Sequence, residues 1–454
     1  MSLSSLSKAK IHLWLYVATL LFLSLWLPQR SKAAEPSAAA GQPAATQEKG
    51  LRLEDAVRIA LENHPSIKAG QEQIGAQEAV LKQQLGGYYP TISLVNSYAT
   101  ANSTSTDSGT DSTNANGIDT FSSQANVSMT LYDFGKREGN VQSARETVQA
   151  TRYAYTTTAN NVVLSVKQAY YVYLQAVALL RVREQAVKDQ ELLVNQARGF
   201  YEVGTRAKID LARAEANFYS AQADLVTAQN NVQVALVTLK NAIGVPELPG
   251  VPQTAELTVI PPRLSLEDAR KTAFTARPEL LQFEAQRKAQ DQQIATARRG
   301  HLPDFLFSAN YGRRNTSREG DTFPLQPRWQ VQLNFNIPIF DGFRTTYRVE
   351  QAVRTYYTVK NQEEQQRQQV ALEVEQSYLN MTQAEGRIRA NEAAEQAARE
   401  NFDLANGRYQ VGVGSIIEVT DAETLYVTAQ SNLINSRYDF KIAEAQLARA
   451  MGGQ

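Results

Sequence analysis

The chain repeats itself, and that repetition limits what it can fold into more than any other feature. Leu51-Arg52-Leu53-Glu54-Asp55-Ala56 returns as Leu264-Ser265-Leu266-Glu267-Asp268-Ala269, a displacement of 213 positions (264 − 51) that also carries Pro65 to Pro278 and Pro90 to Pro303. Downstream the displacement becomes 208 (341 − 133), taking Asp133 to Asp341, Tyr201 to Tyr409, Val203-Gly204 to Val411-Gly412 and Ala242 to Ala450. The five residues lost fall between two segments of alternating character that each half contains. The order of elements is therefore the same twice, with residues 51–245 as the first repeat, a Pro-rich linker over 246–263 and residues 264–454 as the second. A duplicated unit replaces the roughly three domains that length alone suggests.

Proline placement shows where long helices fit. No proline lies between Thr91 and Val245, or between Ile339 and Gln454, and an interior proline costs a helix about 3 kcal/mol. Heptads fill these stretches. Val166, Tyr173, Leu180, Val187, Val194 and Tyr201 are seven apart, with Tyr170 and Val177 as offset partners. Val374, Met381, Ile388, Phe402 and Tyr409 keep the register in the second half, interrupted at Glu395. Leu211, Phe218, Leu225, Val232 and Leu239 form a further series, copied by Val419, Tyr426, Leu433, Phe440 and Leu447. A seven-residue period predicts helices that supercoil left-handedly. The run from Gly139 to Val203 predicts a rod of roughly 100 Å, for which a compact globule has no use.

Between the helical stretches the period changes to two. Phe121, Ala125, Val127, Met129 and Leu131 alternate with Ser122, Gln124, Asn126, Ser128 and Thr130. In the second half Trp329, Val331, Leu333, Phe335, Ile337 and Ile339 alternate with Gln330, Gln332, Asn334 and Asn336. Such alternation over about ten residues suits a tilted membrane strand. The expected strands are about 91–100 and 121–132 in the first repeat, and about 304–311 and 329–340 in the second. A Ser/Thr/Asn/Asp/Gly-rich stretch, Ala99–Thr120, and a shorter polar one, Gly312–Arg328, connect them as solvated loops. Four strands cannot close a barrel, and an open edge cannot sit in lipid. If these strands are in a membrane, the chain must oligomerise. Hairpins packed on a soluble core would also alternate.

The beginning reads as an export signal. Lys8 and Lys10 precede the apolar run Ile11–Leu27, Pro28 ends it, and Ser31-Lys32-Ala33-Ala34 offers small residues for cleavage, so residues 1–34 are expected to be removed. An uncleaved inner-membrane anchor is the other reading of that run. Residues 35–50 read as a flexible leader. The 46 basic and 46 acidic side chains balance, which gives no electrostatic case for nucleic acid. The absence of cysteine excludes disulfides, thiol chemistry and a lipid-accepting cysteine. His64 and His301 have no partners at metal spacing. Asp133-Phe134-Gly135 matches the kinase tripeptide without the lysine, glycine-loop or catalytic-loop context that chemistry needs. No nucleophile–base set or cofactor loop is evident, so neither an enzyme nor a cofactor is expected.

The duplicated halves, Leu131-Tyr132-Asp133-Phe134-Gly135 with Ile339-Phe340-Asp341-Gly342, and Tyr201-Glu202-Val203-Gly204-Thr205 with Tyr409-Gln410-Val411-Gly412-Val413, occur in one order at constant spacing. In this set the chain resembles the TolC family of outer-membrane export proteins over about Leu51–Gly452. The resemblance implies a mainly α fold with a small transmembrane β part. Long coiled-coil helices would form an α-barrel, four β-strands per chain would contribute to a 12-strand barrel of a homotrimer, and an equatorial belt would lie near the linker and chain ends. It implies an outer-membrane exit duct with its helices in the periplasm, serving tripartite efflux or type I secretion. The partners would be a periplasmic adaptor and an inner-membrane transporter of the RND, ABC or MFS type. A soluble periplasmic coiled-coil adaptor is the alternative.

The same resemblance assigns roles to the two helix turns. Asp210 matches the acidic residue of the first turn and Tyr409 its tyrosine partner. Glu418 and Asp421 match acids that narrow the periplasmic entrance, where a repeated acid ring favours cations. The family's best-known member carries a basic residue where Gly414 stands. Arg206 occupies the corresponding position of the first half and Lys208 is close by, so the expected latch joins Arg206 or Lys208 to Glu418 or Asp421. Ordinary exposed charges, worth about 0–1 kcal/mol as pairs, are the alternative. Val203, Gly204, Thr205, Val411, Gly412 and Val413 are expected to dock the adaptor, with glycine permitting a tight turn.

Overall fold

The computed structural model describes residues 50–104, 115–253, 264–318 and 326–453. The signal, most of the leader, most of the linker and the tips of both strand loops lie outside the described residues. The first repeat runs α1 (Leu53–Asn63), α2 (Pro65–Gly86), β1 (Thr91–Thr104), β2 (Ala115–Tyr132), α3 (Lys136–Glu202) and α4 (Lys208–Ile243). The second runs α5 (Leu266–Ala276), α6 (Pro278–Arg298), β3 (Asp304–Arg318), β4 (Gln326–Asn336), α7 (Arg344–Gln410) and α8 (Ile416–Ala450), with a single 3-10 turn before β3.

Helices α3 and α7 each span 67 residues, about 100 Å at the α-helical rise. Their proline-free sequences let the backbone ladder continue unbroken, and their apolar seams bind them to neighbours. Val166, Tyr173 and Val194 are buried on α3, and Val374, Met381 and Ile388 on α7. Val232 and Leu239 of α4, and Val419, Phe440 and Leu447 of α8, supply the opposing layer. In the upper part of the first repeat Ala56, Ala60 and Ile67 join Val166, Tyr170 and Val232 in one core. The Tyr170 hydroxyl lies 2.9 Å from the carbonyl oxygens of both Leu51 and Gln253. It thereby ties the start of α1's approach to the linker segment, where Leu51 and Pro252 form a parallel bridge. Burial pushes that phenol up to about 12.

The four strands form one antiparallel meander, β1-β2-β3-β4. Direct pairs such as Phe335 with Phe305, Leu333 with Phe307 and Trp329 with Tyr311 put the apolar residues on one face. The register continues through Met129, Val127 and Ala125 of β2 to Ile92 and Leu94 of β1. The paired hydroxyls Thr91–Ser128 (2.6 Å) and Ser97–Ser122 (2.7 Å) lie on the opposite face. β1–β3 extend past the expected ends, deep into the polar loop sequence. β4 likewise begins early, at Gln326, but its other end stops at Asn336 rather than reaching residue 340, because Pro338 has no N–H to give the ladder.

Each β-to-α junction is made by one aspartate. Asp133 accepts from the backbone N–H of Gly135 (3.2 Å) and Arg137 (2.9 Å), and from the Arg137 guanidinium (3.0 Å). Arg137 also reaches the carbonyl of Gly87 at 2.9 Å. Asp341 accepts from the backbone N–H and the hydroxyl of Thr345, bonds that hold its carboxyl below the usual range. Both capped turns contain two consecutive left-handed residues, Phe134-Gly135 (φ 52° and 85°) and Gly342-Phe343 (φ 68° and 63°). The order of glycine and phenylalanine is inverted between the repeats, so the turn needs only one of the two positions free of a side chain.

One buried ion cluster closes the second repeat. Arg277 is 1% exposed and donates to the last carbonyl of α8, at Ala450 (3.2 Å). It pairs with Glu373 of α7 (2.5 Å) and Glu279 of α6 (3.1 Å), and Arg449 joins the same two carboxylates. The first repeat has His64 at this place, capping α2 through the Ser66 N–H (3.2 Å). Removing one member of a buried charge cluster strands the others. Arg277→Ala is therefore expected to lower stability by about 3–5 kcal/mol, read as a shift in the guanidinium unfolding midpoint, whereas His64→Ala should cost only about 1 kcal/mol, the worth of a cap.

Candidate gate and docking turns

The candidate site is the pair of turns α3–α4 and α7–α8. Both are closed by backbone bonds around a left-handed glycine. Gly204 (φ 77°) donates to the Tyr201 carbonyl at 2.9 Å, and Thr205 and Arg206 donate to that of Phe200 at 3.0 and 3.3 Å. Gly412 (φ 82°) donates to Tyr409 at 3.0 Å, and Val413 and Gly414 donate to Arg408 at 3.0 and 2.9 Å. These satisfy carbonyls that the ending helix leaves open. Ser415 then starts α8 by accepting from the Ile417 N–H at 3.2 Å. The side chains of Val203, Val411 and Val413 stand more than two-thirds exposed at the tip. Thr205 spends its hydroxyl on the Phe200 carbonyl (2.9 Å).

Arg206 bridges the two turns. Its guanidinium donates to the carbonyls of Gly412 (3.0 Å) and Gly414 (2.6 Å) and lies 5.7 Å from the centre of the Tyr409 ring. A side chain at residue 414 would meet the Tyr409 nitrogen at 2.9 Å, so this position offers its carbonyl to Arg206 in place of a side chain of its own. Tyr409 is wholly buried, edge-on to Phe200 at 5.6 Å. Its hydroxyl has no hydrogen-bond partner among the described residues. Burial raises its pKa, the charge of Asp210 adds to that, and Arg206 opposes it.

The structure thus brings Arg206, Asp210 and Tyr409 into one neighbourhood. It places Glu418 elsewhere, 3.6 Å from Arg408 on an exposed face. Lys208 and Asp421 are exposed. Within one chain Arg206 therefore meets backbone carbonyls, not the carboxylates of Glu418 or Asp421. A bond to a carbonyl leaves no mark in a sequence, which is why reading charges alone does not find it.

Sequence reading also misses Glu423. This residue is 2% exposed and accepts from the Gln190 amide at 2.7 Å across the α3–α8 contact. The available signal was its heptad place: Val419, Glu423 and Tyr426 share the inward stripe of α8. Desolvation, with Asp189 nearby, raises its pKa from 4.5 to about 8. A carboxyl whose folded pKa lies above its unfolded value contributes stability that is full below the unfolded pKa and lost as pH rises through the folded one. The stability of the wild-type helical part should therefore fall between about pH 4.5 and 8 by on the order of 5 kcal/mol. Unfolding of Glu423→Gln should lose most of that pH dependence.

Comparison with known proteins follows the same residues. The family model described as outer membrane efflux protein matches residues 56–245 and 269–453. The chain is 27% identical over 358 residues to the outer membrane protein TolC of Escherichia coli K12, covering 74% of this chain and 71% of that protein. It is 24% identical over 411 residues to the probable efflux pump outer membrane protein TtgC of Pseudomonas putida, covering 88% and 83%. Among solved structures, CusC superposes with a TM-score of 0.76 at 20% identity over 92% of this chain and 96% of that one. The outer membrane channel CmeC of Campylobacter jejuni gives 0.75 at 18% identity, over 88% and 85%.

Proposed function

Because the chain belongs to the outer membrane efflux protein family, we propose that three copies join the free edges of β1 and β4 into a twelve-strand barrel continuous with a tunnel of α3, α4, α7 and α8. The protein resides in the outer membrane with its helices in the periplasm, and acts in efflux. The observation that carries the oligomeric reading is the four-strand sheet itself, and the number three is what the family resemblance implies. It presents Trp329, Val331, Leu333 and Phe335, all more than half exposed, on one face and leaves two edges unpaired. Lipid tolerates such a face but not such edges. A soluble coiled-coil adaptor gives that sheet no role.

A periplasmic adaptor and an energy-supplying inner-membrane transporter, of the RND, ABC or MFS type, complete the pathway. Val203, Val411 and Val413 are the apolar contacts on which the adaptor seats, with Gly204 and Gly412 allowing its backbone close. Within the tip Arg206 holds the first turn to the second, over the Tyr409 ring, while Glu418 and Asp421 ring the entrance from each copy. Opening separates the turns and breaks the Arg206 contacts.

Electron microscopy of detergent-extracted protein tests the assembly. A three-fold rod with a short barrel at one end is expected, and a lone soluble rod overturns it. The gate is tested in planar bilayers. The Arg206 contacts to Gly412 and Gly414 are worth on the order of 1–2 kcal/mol, roughly a tenfold bias toward the closed state. Arg206→Glu should accordingly raise the open current, and an unchanged conductance removes Arg206 from the gate.

A further inference from the structure

The strand register places two arginines on the face opposite the apolar band, at the far end of the sheet from the helices. Arg328 precedes Trp329 on β4 and pairs with Gly312 of β3, and Arg314 pairs with Gln326. Both are exposed. They are diagonal neighbours across β3 and β4, a spacing of about 7–8 Å. Arg314 lies ten positions beyond Asp304, roughly 33 Å along the strand and about 25 Å along the axis of a barrel with tilted strands, which puts it at the outer rim of the hydrophobic belt that a membrane barrel needs.

Among the described residues, their neighbours on that face carry no opposing charge. At the level of Arg314 the same face carries Ser122 and Ser97, and at the level of Arg328 it carries Gln124 and Val95. From there down to Asp304 the face is made of Ser, Asn, Gln, Thr and Leu, without another ionisable side chain. Asp304 itself is at the helical end, 3.7 Å from Lys136. Gly312, opposite Arg328, cannot be replaced by a screening residue, since a Cβ there would lie 2.2 Å from the Ser123 carbonyl oxygen. Arg313, by contrast, shares the outward face with Tyr311 and Trp329.

We infer that Arg314 and Arg328 form a basic collar inside the outer mouth, which binds small multivalent anions and favours phosphate- or carboxylate-bearing cargo at the exit. This rests on the trimeric duct: three chains bring six guanidiniums around one aqueous opening, and facing like charges concentrate counter-ions of the opposite sign. Arginine forks match phosphate and carboxylate oxygens in pairs.

The test uses the full chain in planar bilayers, with inorganic tripolyphosphate added to one compartment and then to the other. Wild-type current should be blocked more strongly from one side. The double variant Arg314→Gln/Arg328→Gln should need at least about tenfold more tripolyphosphate for the same block. Arg314→Lys/Arg328→Lys should keep most of it, and Arg313→Gln should leave it unchanged. An unblocked wild type, equal block of the double glutamine variant, or loss of block in Arg313→Gln overturns the collar. Detergent-stable trimers of each variant show that the barrel has formed. Absence of any conductance from trimeric wild type would instead overturn the duct, and the collar with it.

Discussion

Two unpaired strand edges dominate this protein. A sheet of four strands has N–H and C=O groups open along β1 and β4, and a face of Trp, Val, Leu and Phe that water disfavours. Water would satisfy the edges and penalise the face, while lipid would accept the face and penalise the edges by several kcal/mol per group. Only edge-to-edge closure with further copies meets both demands. In the proposed assembly the helical part shares that symmetry, and its length carries the channel away from the membrane. The sharp αL turns at Phe134-Gly135 and Gly342-Phe343, each fixed by an aspartate cap, keep strand and helix in one wall instead of letting the sheet and rods fold onto each other.

Duplication supplies the repeated framework, and divergence at matched positions supplies the asymmetry. Tyr201 is 42% exposed while its copy Tyr409 is wholly buried against Phe200. His64 caps a helix where Arg277 anchors an ion cluster. Arg206 has its guanidinium at the place where Gly414 has only a carbonyl, and the two meet. A duplicated pair can thus make a contact between its own halves: one copy keeps the donor and the other loses its side chain to expose an acceptor.

The large elements were legible because they rest on periodicity. Heptads at Val166–Val194 and Val374–Ile388 and the alternation at Trp329–Phe335 each state which face is buried or lipid-facing, and local backbone geometry does the rest. The boundaries were less so. β1–β3 continue into Ser/Asn/Gly-rich sequence because ladder bonds with a neighbour, not side-chain propensity, hold them, while Pro338 stops β4 early. The candidate site was only half legible. Asp210, Tyr409 and Arg206 do converge around one ring, but the acceptors for Arg206 are backbone oxygens, and the pairing of Glu423 with Gln190 joins residues 233 positions apart. Neither a carbonyl's direction nor a contact across two coiled helices is encoded in spacing along one of them.

Charge changes sign along the proposed conduit. As proposed, its periplasmic end presents Asp210, Glu418 and Asp421 and its strand end Arg314 and Arg328, and the inner strand face between Arg328 and Asp304 is mainly amide and hydroxyl. An acid ring and a basic ring in series do not cancel, because at physiological salt the field of each decays over about 8 Å, while the barrel section alone extends roughly 25 Å along its axis. Each end therefore acts on the solute at that end. On these proposals a cation would be held at the entrance and an anion at the exit, and a cargo bearing both charges would meet a favourable site at either end. Such an arrangement would discriminate weakly against any single class of solute, and on the proposed docking the commitment to particular cargo would fall to the adaptor on the valine-tipped turns.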